Sequence, residues 1–505
     1  RLPTPRSASL FSRRTARLRS AVLLTLAAAL VLGGCARLLA SYDVAANGML
    51  RTDDELRRLF ALGHADSALL RVTKPKKKTH VPGDDLLRVL YEGVAAHYAG
   101  DYARSTAAFD RADQLADDRT VKSISRAALS IMVNDMSLPY EPSRTERLLI
   151  PYYGALSHLR AGNNAGAAVE ARRLSFLLQS LEDEDQAPEP HLHAFLRYFA
   201  GVVFQAAGEY ADADVAYRNA AVLDSVRYPV PSRQSGNGEV VVLIEHGFAP
   251  HRVQESLIVA LNDEESHYFD DDDDDRRRRH AHLVGARVLE FANMSGPRVG
   301  TPQARTLVVP APAEKASGER RHHHRSEPCD TTGNVDTGDC ADDDDEDHSY
   351  VLRMSWPVMY LENRLAPVFQ IFVDSTAVPV RTRADVADAV YQDFKREQPV
   401  IVARTIARAV VKHAVSKGLE KKAAKKDEGL GKLTGVLANI GGAFTEQADT
   451  RSWHFVPRSI SIVRHPLPPG VHAIRVDGGT GARADLGNVE VAPSRVVVLS
   501  TRLWN

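Results

Sequence analysis

The chain has 505 residues, 44% hydrophobic and 26% charged, with 64 Lys and Arg against 65 Asp and Glu. A formal net charge of −1 gives no general electrostatic pull on nucleic acid. The composition is that of a globular protein rather than a disordered or fibrous one, and no apolar run beyond the first 34 residues reaches the ~20 residues of a spanning helix.

Arg13, Arg14, Arg17 and Arg19 precede a mostly apolar stretch, Ala21 to Leu32, which closes on Gly33-Gly34-Cys35. Positive charge, a short apolar core and small residues follow the order of an export signal. The ending Leu32-Gly33-Gly34-Cys35 resembles the lipobox of bacterial lipoproteins. That resemblance implies diacylation of the Cys35 thiol, cleavage after Gly34 and acylation of the new amine. Ala36, where Asp would signal inner-membrane retention, then implies the outer membrane. Two or more acyl chains anchor a protein stably. Residues 1–34 are therefore expected to be a signal peptide. The rest carries 58 basic against 65 acidic residues, a net −7, and has room for two or three domains. The first residue is Arg1 rather than Met, which reads as a fragment or a misplaced start. An exported chain permits a disulfide between Cys329 and Cys340; two free thiols are the alternative.

Residues 35–83 read as the anchor and lead-in helices, with a partial stripe at Leu56, Leu59, Phe60 and Leu62. The run Lys74-Pro75-Lys76-Lys77-Lys78 reads as a solvated loop, with contact to anionic lipid as the lesser reading. Residues 84–228 read as a helical domain with internal repetition. Gly93 aligns with Gly201, Gly100 with Gly208, Tyr102 with Tyr210, Phe109 with Tyr217 and Ala112 with Ala220. This pattern resembles the tetratricopeptide repeat, in which a small residue lets two helices approach, Gly breaks the turn and an aromatic fills the groove. A degenerate third unit runs from Tyr152-Tyr153-Gly154 through Gly162, Ala167 and Ala171, with its first helix expected to start at Pro151. A further helix is expected from Thr120 to Asp135.

After Gly238 the period changes, and residues 239–505 read as a β-rich domain. Glu239 to Glu245 reads as a buried strand, His246-Gly247 as a hairpin turn and Arg252 to Leu261 as the partner strand. Further strands are expected at 306–309, 350–354, 368–373, 459–463, 471–476 and 496–501. Short strands with Gly and Pro turns suggest a mainly antiparallel, sandwich-like arrangement. A long helical insertion, 384–446, interrupts it. Residues 270–280 and 311–348 are acidic or His-rich and cannot build a core, so they are expected to be disordered loops. The expected class is α+β: an N-terminal tetratricopeptide-like helical array, then the β domain.

Few motifs carry chemistry. His322-His323-His324 and the acidic run 342–347 lack the spacing of a metal site. Glu245-His246-Gly247-Phe248 has no Gly-x-Ser-x-Gly partner, and Gly429 to Gly435 lacks the Gly-Lys-Ser/Thr of a phosphate loop. No catalytic set, cofactor or metal is expected. Arg404, Arg408 and Lys412 form one helical stripe that an anionic partner such as lipid phosphate or glycan could use; a solvated face is the usual explanation.

Asp449-Thr450-Arg451-Ser452-Trp453 is the most word-like segment after Cys35. With the lipobox, Tyr152-Tyr153, Glu170-Ala171-Arg172-Arg173 and the strand before Gly247-Phe248-Ala249-Pro250, it resembles a family of uncharacterised tetratricopeptide-containing lipoproteins of Gram-negative bacteria. The resemblance implies architecture and location. Asp449, Arg451 and Trp453 read first as a capped turn that docks the helical insertion on the sheet, and second as a partner-binding patch. The expected function is a periplasm-facing, outer-membrane-anchored interaction scaffold or regulator in cell-envelope assembly, with peptidoglycan synthesis as an analogy. Its repeats would bind envelope protein partners, and nucleic acid is not among the expected partners. The alternatives are a cell-wall or glycan-acting enzyme using β-domain carboxylates, and a lipid- or ligand-binding module.

Overall fold

The computed structural model describes residues 55–74, 85–126, 139–224, 236–261, 298–299, 305–309, 350–361, 367–424, 447–479 and 481–504, with single positions 228 and 231. Cys35, Cys329, Cys340, the loops 270–280 and 311–348 and the segment 429–444 lie outside them. The described chain is mixed: helices first, then mainly antiparallel sheets.

A short helix α1 (55–61) and α2 (Ala65–Thr73) lead into three helix pairs. These are α3 (Asp85–Ala99) with α4 (Tyr102–Arg126), α5 (Arg144–Arg160) with α6 (Asn164–Asp183), and α7 (Pro190–Ala207) with α8 (Tyr210–Leu223). Gly100, Gly162 and Gly208 end the first helix of each pair at φ between +75° and +84°, a conformation glycine adopts without a Cβ penalty. Ser143 and Glu146 form a reciprocal capping box that starts α5. Pro151 therefore sits inside α5, not at its start. A proline rarely survives there because it forfeits one helical hydrogen bond; here its neighbours on both sides are fully buried and packing outweighs that loss. The helix expected from Thr120 is, as far as Arg126, the continuation of α4.

Helices α3, α5 and α7 are buried along most of their length, whereas α4, α6 and α8 each bury one stripe. What covers the first set is the β region. The strands are β1 (Gly238–His246), β2 (His251–Leu261), β3 (Arg298–Val299), β4 (Arg305–Val309), β5 (Tyr350–Leu361), β6 (Gln370–Val373), β7 (Thr376–Pro379), β8 (Thr382–Asp385), β9 (Ser459–Leu467), β10 (Gly470–Asp477), β11 (Arg483–Val491) and β12 (Val496–Leu503). They form a central sheet β12-β1-β9-β8, an outer sheet β11-β10-β6-β7 and a lateral sheet β3-β5-β2-β4.

Strand β1 is buried throughout, and apolar from Val240 to Ile244, because both its faces are covered. Val241 and Leu243 join the core shared with the helices, and Val240, Val242 and Ile244 join the core shared with the outer sheet. The central sheet is thus sandwiched between helices and a second sheet. The lateral sheet packs Val253, Leu257, Met354 and Trp356 against Val402 and Ala409 of a long helix, α9 (Val386–Ala424).

Several expectations change. Strand β1 does not pair with β2; it lies between β9, antiparallel, and β12, parallel and in register from Glu239–Val496 to His246–Leu503. Gly247, at φ +60°, turns the chain out of the central sheet towards the lateral one, where β2 pairs with β5 and β4. The pairs β1–β12, β2–β4 and β3–β5 are parallel, because their strands are joined by long excursions rather than tight turns. Residues 384 and 385 belong to edge strand β8, so the helical insertion begins at Val386. Arg408 is buried, not on a solvated face, because α9 lays that side on the lateral sheet.

Candidate functional site

The parity of β1 decides which side chains enter the helical layer. Residues 239, 241, 243 and 245 share one face. Two are apolar and two, Glu239 and Glu245, are buried carboxylates at opposite ends. Each meets an arginine from a neighbouring strand and phenols from the helices.

At one end, Arg502 stands beside Glu245 in the parallel ladder. Tyr98 of α3 donates its hydroxyl to Glu245 Oε2, and the phenols of Tyr152 and Tyr153 on α5 face the same carboxyl. Arg502 donates to the carbonyls of Gly247 (2.7 Å) and Phe455 and lies 4.0 Å from the Trp504 ring centroid. Burial pushes the Glu245 carboxyl above the ordinary carboxylate range, against Arg502 and the three phenols, which pull it down. Burial likewise pushes Tyr98, Tyr152 and Tyr153 well above the usual phenol value.

At the other end, Arg464 of β9 approaches Glu239 at 3.5 Å and donates to Tyr217 (2.7 Å) and Gln205 (3.0 Å). Tyr217 donates in turn to Gln205 at 2.7 Å. Burial raises the Tyr198 phenol to about 12. The two carboxylates are six residues apart on one strand, roughly 20 Å at the strand rise per residue. A glycosidase pair stands at roughly 5–9.5 Å. Glu239 and Glu245 are therefore not an acid–base pair; they bracket the apolar seam between helices and sheet.

Between the two layers runs the irregular stretch 447–458, which turns at 454–456. Arg451, fully buried, holds Asp449 bidentately at 2.8 Å through Nε and Nη2. Trp453 packs on Phe109 and Tyr153 and donates its backbone N–H to Glu146 Oε1 at 2.7 Å. Ser452 accepts the Arg252 backbone N–H at 3.1 Å, and its carbonyl accepts the Tyr91 hydroxyl at 3.2 Å. The Asp-Thr-Arg-Ser-Trp word thus docks on the first two helix pairs. Beside it is a cavity of about 20 Å³ lined by Ser143, Glu146, Arg252, Phe394, Ser452 and Trp453. It has room for about one water, not for a sugar.

The repeat-defining residues divide. Gly93 faces Phe109, and Gly201 faces Tyr217, so closely that a Cβ would come within 2.8 Å and 2.6 Å of the rings. Tyr210 is exposed and Tyr102 half-buried, so neither fills a groove. In the second pair Gly154 faces Glu170 at 3.1 Å. The facing residue stands sixteen positions after the glycine in all three pairs, an offset already present in the sequence. The remaining buried groups had weaker signals. His251 and His454 lie 4.8 Å apart by ring centroid, with Arg57 Nη2 at 3.5 Å from His251 Nδ1. Burial pushes His251 down to about 3.

Comparison with protein-family models, curated proteins and solved structures finds no match. Among the described residues no group of three or more His, Cys, Asp or Glu could hold a metal ion, and no helix is long and apolar enough to cross a membrane.

Proposed function

We propose that the chain is a lipid-anchored lipoprotein of the outer membrane, facing the periplasm, which acts as an interaction scaffold or regulator in cell-envelope assembly. The observation that carries the location is the Arg-rich, apolar, Gly33-Gly34-Cys35 order at the start. Three helix pairs with a glycine-to-facing-residue offset of sixteen support a tetratricopeptide-like reading of the array. Among the described residues the buried charges are enclosed between layers, which supports a binding rather than a catalytic role.

One side of the helical array is already occupied within the chain. Helices α3, α5 and α7 are covered by the central sheet and by stretch 447–458, so the array uses that side on its own chain. Partners would meet the solvent sides of α4, α6 and α8 or the outer sheet. Regulation of a peptidoglycan synthase is one concrete form, by analogy only. Isolation of the full chain from crosslinked cells should recover an envelope protein in defined amount. Recovery of none contradicts the scaffold reading.

A further inference from the structure

The second helix pair differs from its neighbours in one respect. Where α3/α4 and α7/α8 press an aromatic ring on a glycine, α5/α6 presses the Glu170 carboxyl on Gly154, with Cδ, Cγ and Oε2 all 3.1 Å from where a Cβ would stand. Glu170 is 5% exposed. Its Oε1 accepts from Arg173 Nη1 at 2.7 Å, one turn along α6.

The groups around it are counted easily. From α4 come Asp110, which accepts from Arg173 at 2.9 Å, and Asp113, which lies 3.9 Å from Arg173 Nε. From α5 comes Arg147, which donates to Asp113 and, at 2.6 Å, to the more exposed Asp117. His158, also on α5, faces Asp110 and Arg173 and is pushed down by burial. Two guanidinium groups, Arg147 and Arg173, thus already serve Asp110, Asp113 and Asp117. With Glu170 neutral the set already holds three carboxylates for two cations; an ionised Glu170 adds a fourth, and no third cation, in a half-dry seam.

We propose that Glu170 is a proton-responsive latch of the α4–α5–α6 seam, packed on Gly154 when neutral and loosening the seam when it ionises. Burial, the largest influence, raises its carboxyl to about 7, so the change falls at the pH of ordinary aqueous surroundings. The folded value lies above the ordinary 4.5. The folded state therefore holds the extra proton, and stability falls as pH rises from about 4.5 through about 7. The inference rests on the helical layer alone and is independent of the anchor.

The test is thermal unfolding of the full chain in detergent between pH 5 and 8.5, with Glu170→Gln as the permanently neutral form. The wild-type midpoint should fall by several degrees across this range, and Glu170→Gln should remove most of that fall. Equal slopes in both proteins overturn the proposal. Hydrogen exchange of wild-type α6, corrected for intrinsic pH dependence, serves if the variant does not fold. Protection over 164–183 should drop severalfold between pH 6 and 8, and unchanged protection overturns the proposal.

Discussion

The backbone N–H of Trp453 donates to Glu146 Oε1 at 2.7 Å, although 307 positions separate them in the chain. The same carboxylate closes the capping box of α5 by accepting from the Ser143 N–H at 2.7 Å. One side chain thus starts a helix and receives the stretch that enters the helical layer.

Replacing Glu146 by Ala removes both functions. Loss of a cap costs about 1 kcal/mol, and a buried orphaned N–H costs about 1–3 kcal/mol. Denaturant unfolding of Glu146→Ala should show a loss of about 2–4 kcal/mol, with Glu146→Gln recovering part of it. A loss below about 0.5 kcal/mol would mean that the Trp453 contact is not made.

Much of the fold was legible in the sequence, and much of the site was not. Helical phase is local, and the Gly93–Phe109 and Gly201–Tyr217 pairs repeat in plain view. The apolar run 240–244 announces a strand covered on both faces. Its partners do not follow, because β12 lies some 250 residues on and the Gly247 turn looks like a hairpin. Strand β11 escapes notice because its alternation, Ala484 and Leu486 then Val489 and Val491 inward, slips by one residue where the β10–β11 register shifts opposite Ile474 and Arg475. Glu245, Tyr98 and Arg502 come from three distant segments, and a glutamate ending an apolar strand is the single local hint. Glu170 hides behind the expectation of an aromatic.

The Glu245 cluster predicts a specific coupling. Tyr98→Phe removes a hydrogen bond to a buried carboxyl, a loss of about 1.5–3 kcal/mol. Combined with Glu245→Gln it should be non-additive by about 1 kcal/mol or more. Combined with Glu239→Gln, roughly 20 Å along the strand, it should be additive within about 0.5 kcal/mol. A double-mutant cycle in denaturant measures both. Additivity in the first pair contradicts the cluster.

Gly93→Ala places a methyl 2.8 Å from the Phe109 ring in a fully packed seam. Overpacking of this kind costs about 1–3 kcal/mol. Adding Phe109→Leu should give back part of the loss, measured again by denaturant. If the smaller side chain only adds to the damage, the Gly93 contact does not set the helix approach.

On the outer sheet His472 donates towards Asp374 at 2.9 Å and towards the Pro468 carbonyl at 2.9 Å. The Asp374 hydrogen bond, then the Pro468 carbonyl, raise the imidazole above 6.5. His472 and then the Ala473 N–H lower Asp374 below 3.8. The histidine's contribution is complete below about 6.5 and lost as pH rises through its raised value. The aspartate's is present above about 3.8 and lost as pH falls through its depressed value. Both hold between these limits. In an NMR titration His472 should titrate above the ordinary histidine value, and Asp374→Asn should bring it back. An unchanged titration in the variant contradicts the pairing.

The anchor is tested separately by the mass of the mature N-terminal peptide. It should begin at Cys35 and carry three acyl chains, and Cys35→Ser should release the chain from the outer-membrane fraction. An unmodified Cys35 contradicts the location.

The scaffold claim itself is tested most directly by photo-crosslinking in living cells. A photoreactive residue at Phe176, 74% exposed on α6, should give a discrete adduct with an envelope protein. The same residue at Trp453, buried against the helical layer, should give none. Absence of any adduct from Phe176 and from other exposed positions of α4, α6, α8 and the outer sheet, in cells where the chain fractionates with the outer membrane, would contradict the account.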